Sequence, residues 1–376
     1  MPEVVSLNII CFDVPLPADY GGAIEEFYKL KSLYRLGVKI HLHCFVYGER
    51  KPQPELEKYC EKIFYYERKR RLKDIFTDTP FVVKSRKSED LLRNLLSNDF
   101  PILFDATHTT GFISHPAIRH RKKIVRLHNI EWMYYSVLFH SAITLKERIF
   151  YFTEYKKLRR YDKNLVFADV LSCLSITDTE YYKDKFPNKE VSFENVFHQN
   201  ETVECLPGKG DYLLYHGNLS ILDNYMLVID LLNHELKDCR YPVVLAGKKP
   251  DELLLDFVKD KPNIRIVSDP SDADLKKLIQ GAHICLALAA NPSGVKLKLI
   301  NSLYSGRFVF VNDNALHGNE LSGGTVNISE NFNSATIGDY MQKTFTEEDI
   351  GKRKDRLYGI FDNLKNAEQL LNRIVN

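Results

Sequence analysis

VVSLNIICF at residues 4–12, PLPADYGG at 15–22 and AIEEFYKLKSLYRLGVKIHLHCFVY at 23–47 decide the architecture. The first run is short, apolar and β-branched, and a proline- and glycine-rich loop follows it, so it reads as a buried strand ending in a turn. Ile24, Phe27, Leu30, Leu33 and Tyr34 recur three and four apart, the stripe of an amphipathic helix that Gly37 stops. Residues 38–47 read as the next strand. Strand, glycine turn, helix and strand make one βαβ unit, and such a unit requires a parallel sheet.

The alternation continues outward from this unit. Strands are expected at 63–66, 101–105 (PILFD), 123–127 (KIVRL), 170–174 and 191–196, with helices at 89–96, 145–167 and 177–185. Pro207, Gly208 and Gly210 mark 201–211 as a linker. A second series follows: strands at 212–215, 243–246, 264–267, 284–288 and 308–311, and helices at 224–233, 253–258, 275–279, 296–304 and 347–375. His216-Gly217-Asn218 reads as the turn after the first of these strands. In open α/β sheets ligands gather at the carboxyl ends of the strands. The expected fold class is therefore α/β, with two Rossmann-like domains whose parallel sheets face each other across a cleft. The domains are expected at 1–203 and 211–350, with 351–376 crossing back to the first.

A formal charge of +2 over 376 residues gives no global attraction to nucleic acid. Charge is concentrated locally, in ERKRRLK at 67–73 and KKLRR at 156–160, both flanked by aromatic residues. These runs read either as solvated faces or as a surface resting on an anionic membrane. Seven scattered cysteines without a CxxC pair suit reduced, mostly buried thiols. No secretory signal order is present and no apolar run reaches the ~20 residues of a membrane span. The expected location is the cytoplasm, either free or in peripheral contact with the inner face of the membrane.

Several segments together resemble the GT-B glycosyltransferases of family 4. They are Pro17-Ala18-Asp19-Tyr20-Gly21-Gly22 with its helix, RLHNIE at 126–131, YHGNL at 215–219 and GVKLKLINSLYSG at 294–306. The resemblance implies retaining transfer of a sugar from a nucleotide diphosphate sugar, without metal or other cofactor. It also implies a donor site in the second domain and a glycan, lipid-linked or protein-linked acceptor at the first.

Gly21 and Gly22 read as a phosphate- or sugar-approaching turn at a helix N-terminus, or as a tight turn that merely needs glycine. His108 follows PILFD; the resemblance places such a histidine near the transferred sugar, and a loop histidine is the other reading. Arg126, His128, Asn129 and Glu131 are candidates for acceptor binding, with helix capping an equal claim on Glu131. Donor candidates are Gly21, Gly22, Gly217, Asn218, Lys248, Ser293, Gly294, Val295, Lys296, Lys298 and Asn301. The chain departs from the family pattern in four places. Asn218 and Asn224 stand where the family has the Arg and Lys that contact the diphosphate, and Ser293 and Asn301 stand where it has two glutamates. A departing diphosphate needs cations, for which Lys296, Lys298, Lys248 and Lys249 are the sources. These losses also leave open a degenerate sugar-nucleotide-binding protein. GxGxxG is absent, against a dehydrogenase. Asp272 and Asp274 read as helix-start residues rather than a metal pair.

Overall fold

The computed structural model describes residues 5–292, 294–318, 325–329 and 332–375. The chain divides into two compact units, 1–199 with 361–376, and 200–360. The first holds strands β1 (Ser6–Cys11), β2 (Lys39–Val46), β3 (Lys62–Glu67), β4 (Ile102–Asp105), β5 (Lys123–Leu127), β6 (Val170–Cys173) and β7 (Glu190–Phe193). They pair in the order β3-β2-β1-β4-β5-β6-β7, all parallel. The second holds β8 (Leu213–Asn218), β9 (Val243–Lys248), β10 (Ile264–Ser268), β11 (Ile284–Leu286), β12 (Phe308–Val311) and β13 (Val326–Asn327), paired β10-β9-β8-β11-β12-β13, again all parallel. Both are doubly wound, Rossmann-like orders. The strand order reverses between β1 and β4 and between β8 and β11, and there the carboxyl ends open a crevice.

Parallel strands covered on both faces carry continuous apolar runs, and every residue of β4, β5 and β6 is buried. The helix Gly21–Arg35 packs Phe27, Leu30 and Leu33 into a core shared with Leu7, Ile9 and Leu42, and the helix Asn363–Val375 closes that core with Ala367, Leu370 and Ile374. The second unit packs Leu213, Tyr215, Val228, Leu245, Ile284 and Phe310 together. Six of the seven cysteines are buried, and none forms a disulfide.

Four local expectations change. The segment read as a turn, His216-Gly217-Asn218, is the end of β8, because Gly217 pairs with Gly247 and Asn218 with Lys248 on β9. A Cβ at Gly247 would lie 1.8 Å from the Gly217 carbonyl oxygen, so only glycine permits that pairing. The 145–167 stretch is a helix Leu145–Tyr161 followed by a tighter turn Asp162–Phe167. A helix Glu131–Ser141 precedes it that periodicity did not indicate. The terminal stretch is two helices, Glu347–Ile360 and Asn363–Val375. Between them Asp362 Oδ1 accepts from the amides of Leu364 (2.8 Å) and Lys365 (3.2 Å), capping the second. The first belongs to the second unit, where the Arg353 guanidinium donates to the Gly306 and Arg307 carbonyls. At 272–281, Ser271 caps the helix by accepting from the Asp274 amide at 3.2 Å, and its hydroxyl donates to the Asp274 carboxylate at 2.6 Å.

Candidate functional site

In the first unit the carboxyl ends of β1, β4 and β5 bring two histidine–carboxylate pairs together. His128 Nε2 lies 2.7 Å from Asp105 Oδ1, and His108 Nε2 lies 3.2 Å from Glu131 Oε2. The Phe12 ring stands edge-on to both imidazoles, with centroids 5.8 Å from His108 and 5.6 Å from His128. Burial pushes the Glu131 carboxyl up, but His108 and then His128 outweigh it and hold the group below its usual range. Glu131 is the first residue of its helix, where the dipole also favours an anion. His108 Nδ1 is buried and has no hydrogen-bond partner among the described residues. A cavity of about 320 Å³ opens beside His108, bounded also by Phe12, Asp13, Tyr20 and Tyr135.

Gly21 is exposed at the helix start. A Cβ on Gly22 would come within 2.6 Å of Phe12 Cζ, so this glycine makes room for the ring between the two histidines. Asn129 is half-buried, just ahead of the helix Glu131–Ser141. Arg126, expected at an acceptor surface, is instead fully buried. Its Nε donates to Glu25 (2.9 Å), one amino group to Ser172 Oγ (2.8 Å) and the Glu194 carbonyl (3.1 Å), and the other to the Asn195 carbonyl (2.8 Å). Lys29 extends the network, in contact with Asp105 and 3.8 Å from Glu25. Glu25, Glu26 and Lys29 were absent from the sequence reading; the signal available was three charges on a helix enclosed on both sides. Cys11, Glu26 and Asp105 offer three potential ligand atoms within 4.8 Å of one another. Lys29 already occupies Asp105, and burial raises the Cys11 thiol and the Glu26 carboxyl toward their neutral forms.

In the second unit the switch point lies beside Tyr215 of β8, which pairs with Leu286 of β11. Lys298, on the helix Leu297–Ser305, donates to the Tyr215 hydroxyl at 3.1 Å and sits over its ring at 4.7 Å. Among the described residues no carboxylate pairs with Lys298. Burial, followed by repulsion from Lys296, lowers its ammonium pKa to about 7. Burial lowers Lys296 to about 8, against an opposing pull from Asp223. Lys296 Nζ lies 3.4 Å from Asn291 Oδ1, and Asn291 donates to Asp223 at 2.8 Å. Gly294, at φ +67°, takes the left-handed turn into this helix beside the half-buried Val295. Ser293 lies outside the described residues.

The asparagines that replace the expected cations hold the loop after β8. Asn224 Nδ2 donates to the Asn218 carbonyl at 2.9 Å, and Asn218 Oδ1 accepts from the Ser220 amide (3.1 Å) and hydroxyl (2.7 Å). Asn301 Oδ1 accepts from Asn200 at 2.9 Å. Lys248 and Lys249 are exposed at the end of β9.

No protein-family model matches the chain. It is 25% identical over 330 residues to an "uncharacterized 44.6 kDa protein in cps region" of Klebsiella pneumoniae, covering 81% of this chain and 82% of that one. Among solved structures it resembles sucrose-phosphate synthase from Thermosynechococcus elongatus (TM-score 0.69, 11% identity, 98% of each chain). It also resembles TarM (0.66, 10% identity, 100% of this chain and 99% of that one) and HepE of Anabaena in complex with UDP and glucose (0.63, 12% identity, 99% of each). At these identities the likeness is one of fold, and with the two parallel sheets and their orders it is decisive for that: the chain has the GT-B fold of glycosyltransferases.

Proposed function

We propose that the protein is a glycosyltransferase that moves a sugar from a nucleotide diphosphate sugar to a glycan, lipid-linked or protein-linked acceptor, with retention and without a metal ion or other cofactor. The observation that carries this reading is Lys298, an amine beside Lys296 at the crevice of the second sheet, with no carboxylate partner among the described residues. Such a pair suits a diphosphate, and HepE carries UDP and glucose on the same fold. A screen of UDP-, GDP- and other nucleotide sugars by thermal shift tests it. A ligand at about 100 times its Kd stabilises the folded state by about 2.7 kcal/mol. No shift with any of them removes the reading. A second reading, a binder without turnover, is favoured by Asn218 and Asn224, whose side chains are taken up by Ser220 and by the Asn218 carbonyl and supply no cation at the end of β8. Hydrolysis or transfer of a bound donor separates the two.

On this reading the acceptor lies at the first unit and His108 acts on it. Glu131 fixes the imidazole through Nε2, which leaves Nδ1 to take a proton or hydrogen bond. His108→Ala is expected to lower kcat by about 10²-fold while the donor Kd stays within about twofold. An unchanged kcat takes His108 out of the site.

The peripheral location rests on exposed Leu72, Phe76, Ile143 and Leu145 beside exposed Lys69, Arg70, Arg71, Lys146 and Arg148. Lys157 ties the 72–76 turn to the helix Leu145–Tyr161 by donating to the Ile75 carbonyl. No helix of the described residues is long and apolar enough to cross a membrane. Cosedimentation with phosphatidylglycerol vesicles is expected to weaken at least about tenfold in Leu72→Ser/Phe76→Ser and to fade with salt. Equal binding by the double variant refutes this surface.

A further inference from the structure

The cavity beside His108 is bordered by three guanidinium groups, Arg50, Arg68 and Arg86, against one carboxylate, Asp13. Arg50 is accounted for: it contacts Asp19, lies 3.9 Å from Asp13 and stacks on Tyr20 at 4.7 Å. The other two are not. Among the described residues the Arg68 guanidinium donates only through Nε, to Ser85 Oγ at 3.1 Å, and it lies over the Tyr47 ring at 4.6 Å. Arg86 is 5% exposed and donates to the carbonyls of Phe12 (2.6 Å) and Val82 (2.9 Å). Among the described residues neither forms an ion pair, and the Tyr135 hydroxyl makes no hydrogen bond. Burial, then repulsion by Arg68, lowers Arg86 to about 10, and burial lowers Arg68 as well. Asp13 pulls on both guanidinium groups but pairs with neither, and two such cations drawn together out of bulk water are costly unless an anion completes the site.

We infer that this cavity recognises a phosphate or diphosphate group borne by the acceptor, through Arg68 and Arg86 with the Tyr135 hydroxyl. Guanidinium edges bind phosphate oxygens in pairs, which lysine at these positions would not do. About 320 Å³ falls in the range of small-ligand pockets. His108 lines the same cavity, so the charged group that anchors the acceptor also brings its hydroxyl to the imidazole. The inference rests on the transferase reading for the word acceptor, and on the pocket alone for the anion.

Hydrogen exchange with inorganic diphosphate locates the site. Amides at 80–86 and 106–112 are expected to slow in the wild type. Arg68→Gln should need at least about tenfold more diphosphate for the same effect, Arg68→Lys should recover part of it, and UDP affinity should not change. Equal protection in Arg68→Gln, or protection confined to 291–305, overturns the inference. Should Arg68→Gln fail to fold, Tyr135→Phe is the second variant, with an expected loss of severalfold; an unchanged affinity there counts against the site. Two sources share this chemistry, and competition separates them: glucose 6-phosphate in solution, and phosphatidylcholine vesicles carrying a polyprenyl phosphate. Displacement by either supports the inference and names the source. Displacement by neither marks an adventitious anion only and overturns it. If UDP leaves 291–305 unprotected while diphosphate still protects 80–86, the donor reading fails and the anion site stands.

Discussion

Lys298→Met is expected to weaken binding of a nucleotide diphosphate sugar by about tenfold to a hundredfold, with no loss of stability at pH 7 or below. The two halves of this result have one cause. Burial and Lys296 depress the Lys298 ammonium from 10.5 to about 7. The folded state thus holds this proton less tightly than the unfolded chain does. The resulting destabilisation is absent above pH 10.5, grows as pH falls and is complete below about 7. Methionine keeps the four-atom stem, removes the amine and removes that penalty. A bound diphosphate reverses the balance by bringing about two negative charges that favour the ammonium form. Donor binding then takes up protons. Affinity should fall as pH rises from 7 toward 10, by up to about tenfold per unit for each lysine that must be charged. Calorimetric titration in two buffers of different ionisation enthalpy reads this uptake directly. Lys296→Met should have a smaller effect, because Asp223 already helps to hold that charge. Asn218→Arg should partly restore binding to Lys298→Met. A Lys298→Met protein that binds donor like the wild type, with no proton uptake in either, ends the compensating-charge account.

The strands were legible because parallel strands buried on both faces leave short apolar runs between glycine turns, as in β1, β2 and β8. The end of β8 was not, since Gly217 looks like a turn until Gly247 is seen to need its close approach. The helix Glu131–Ser141, EWMYYSVLFHS, spreads apolar and aromatic residues nearly all round and offers no clear polar face for periodicity to find. At the site, sequence showed which cations are missing but not that the Asn218 and Asn224 side chains hold the loop after β8, through Ser220 and the Asn218 carbonyl. It located Lys296 and Lys298 but not that both are half-buried, which for Lys298 depends on the Tyr215 ring 83 residues away. Read as one block, ERKRRLK hid a division of labour. Arg68 turns into the cavity, whereas Lys69, Arg70 and Arg71 remain exposed. Arg126 shows the same limit from the other side. Polar residues at a strand end suggest a binding edge, but every residue of β5 is buried, and Arg126 has no outward face to offer.

Arg126→Met is accordingly expected to destabilise the first unit by about 3–5 kcal/mol, lowering its Tm by roughly 6–20 °C. The substitution leaves the Glu25 carboxylate with Lys29 at 3.8 Å as its remaining cation, and withdraws donors from Ser172 and from the carbonyls of Glu194 and Asn195. Unpaired buried acceptors cost more than the pair was worth. Arg126→Lys should recover little, because one ammonium cannot replace a fork that reaches three directions. Glu25→Gln/Arg126→Met should be more stable than the sum of the single variants implies, since Glu25→Gln removes the carboxylate that Arg126→Met strands. Acid should weaken wild type and variants alike through Asp105, which all of them retain. Burial pushes the Asp105 carboxyl up, but Lys29 and then His128 hold it below 3.8, so its contribution is present above that pH and fades as pH falls below it. Thermal unfolding at pH 7 and pH 3 measures both effects, and nucleotide protection of 291–305 in the variant reports whether the second unit is untouched. A binding role predicts the opposite pattern. If Arg126→Met keeps the wild-type Tm and raises only the KM for acceptor, Arg126 belongs to the acceptor surface and the buried network is not what holds this edge of the sheet.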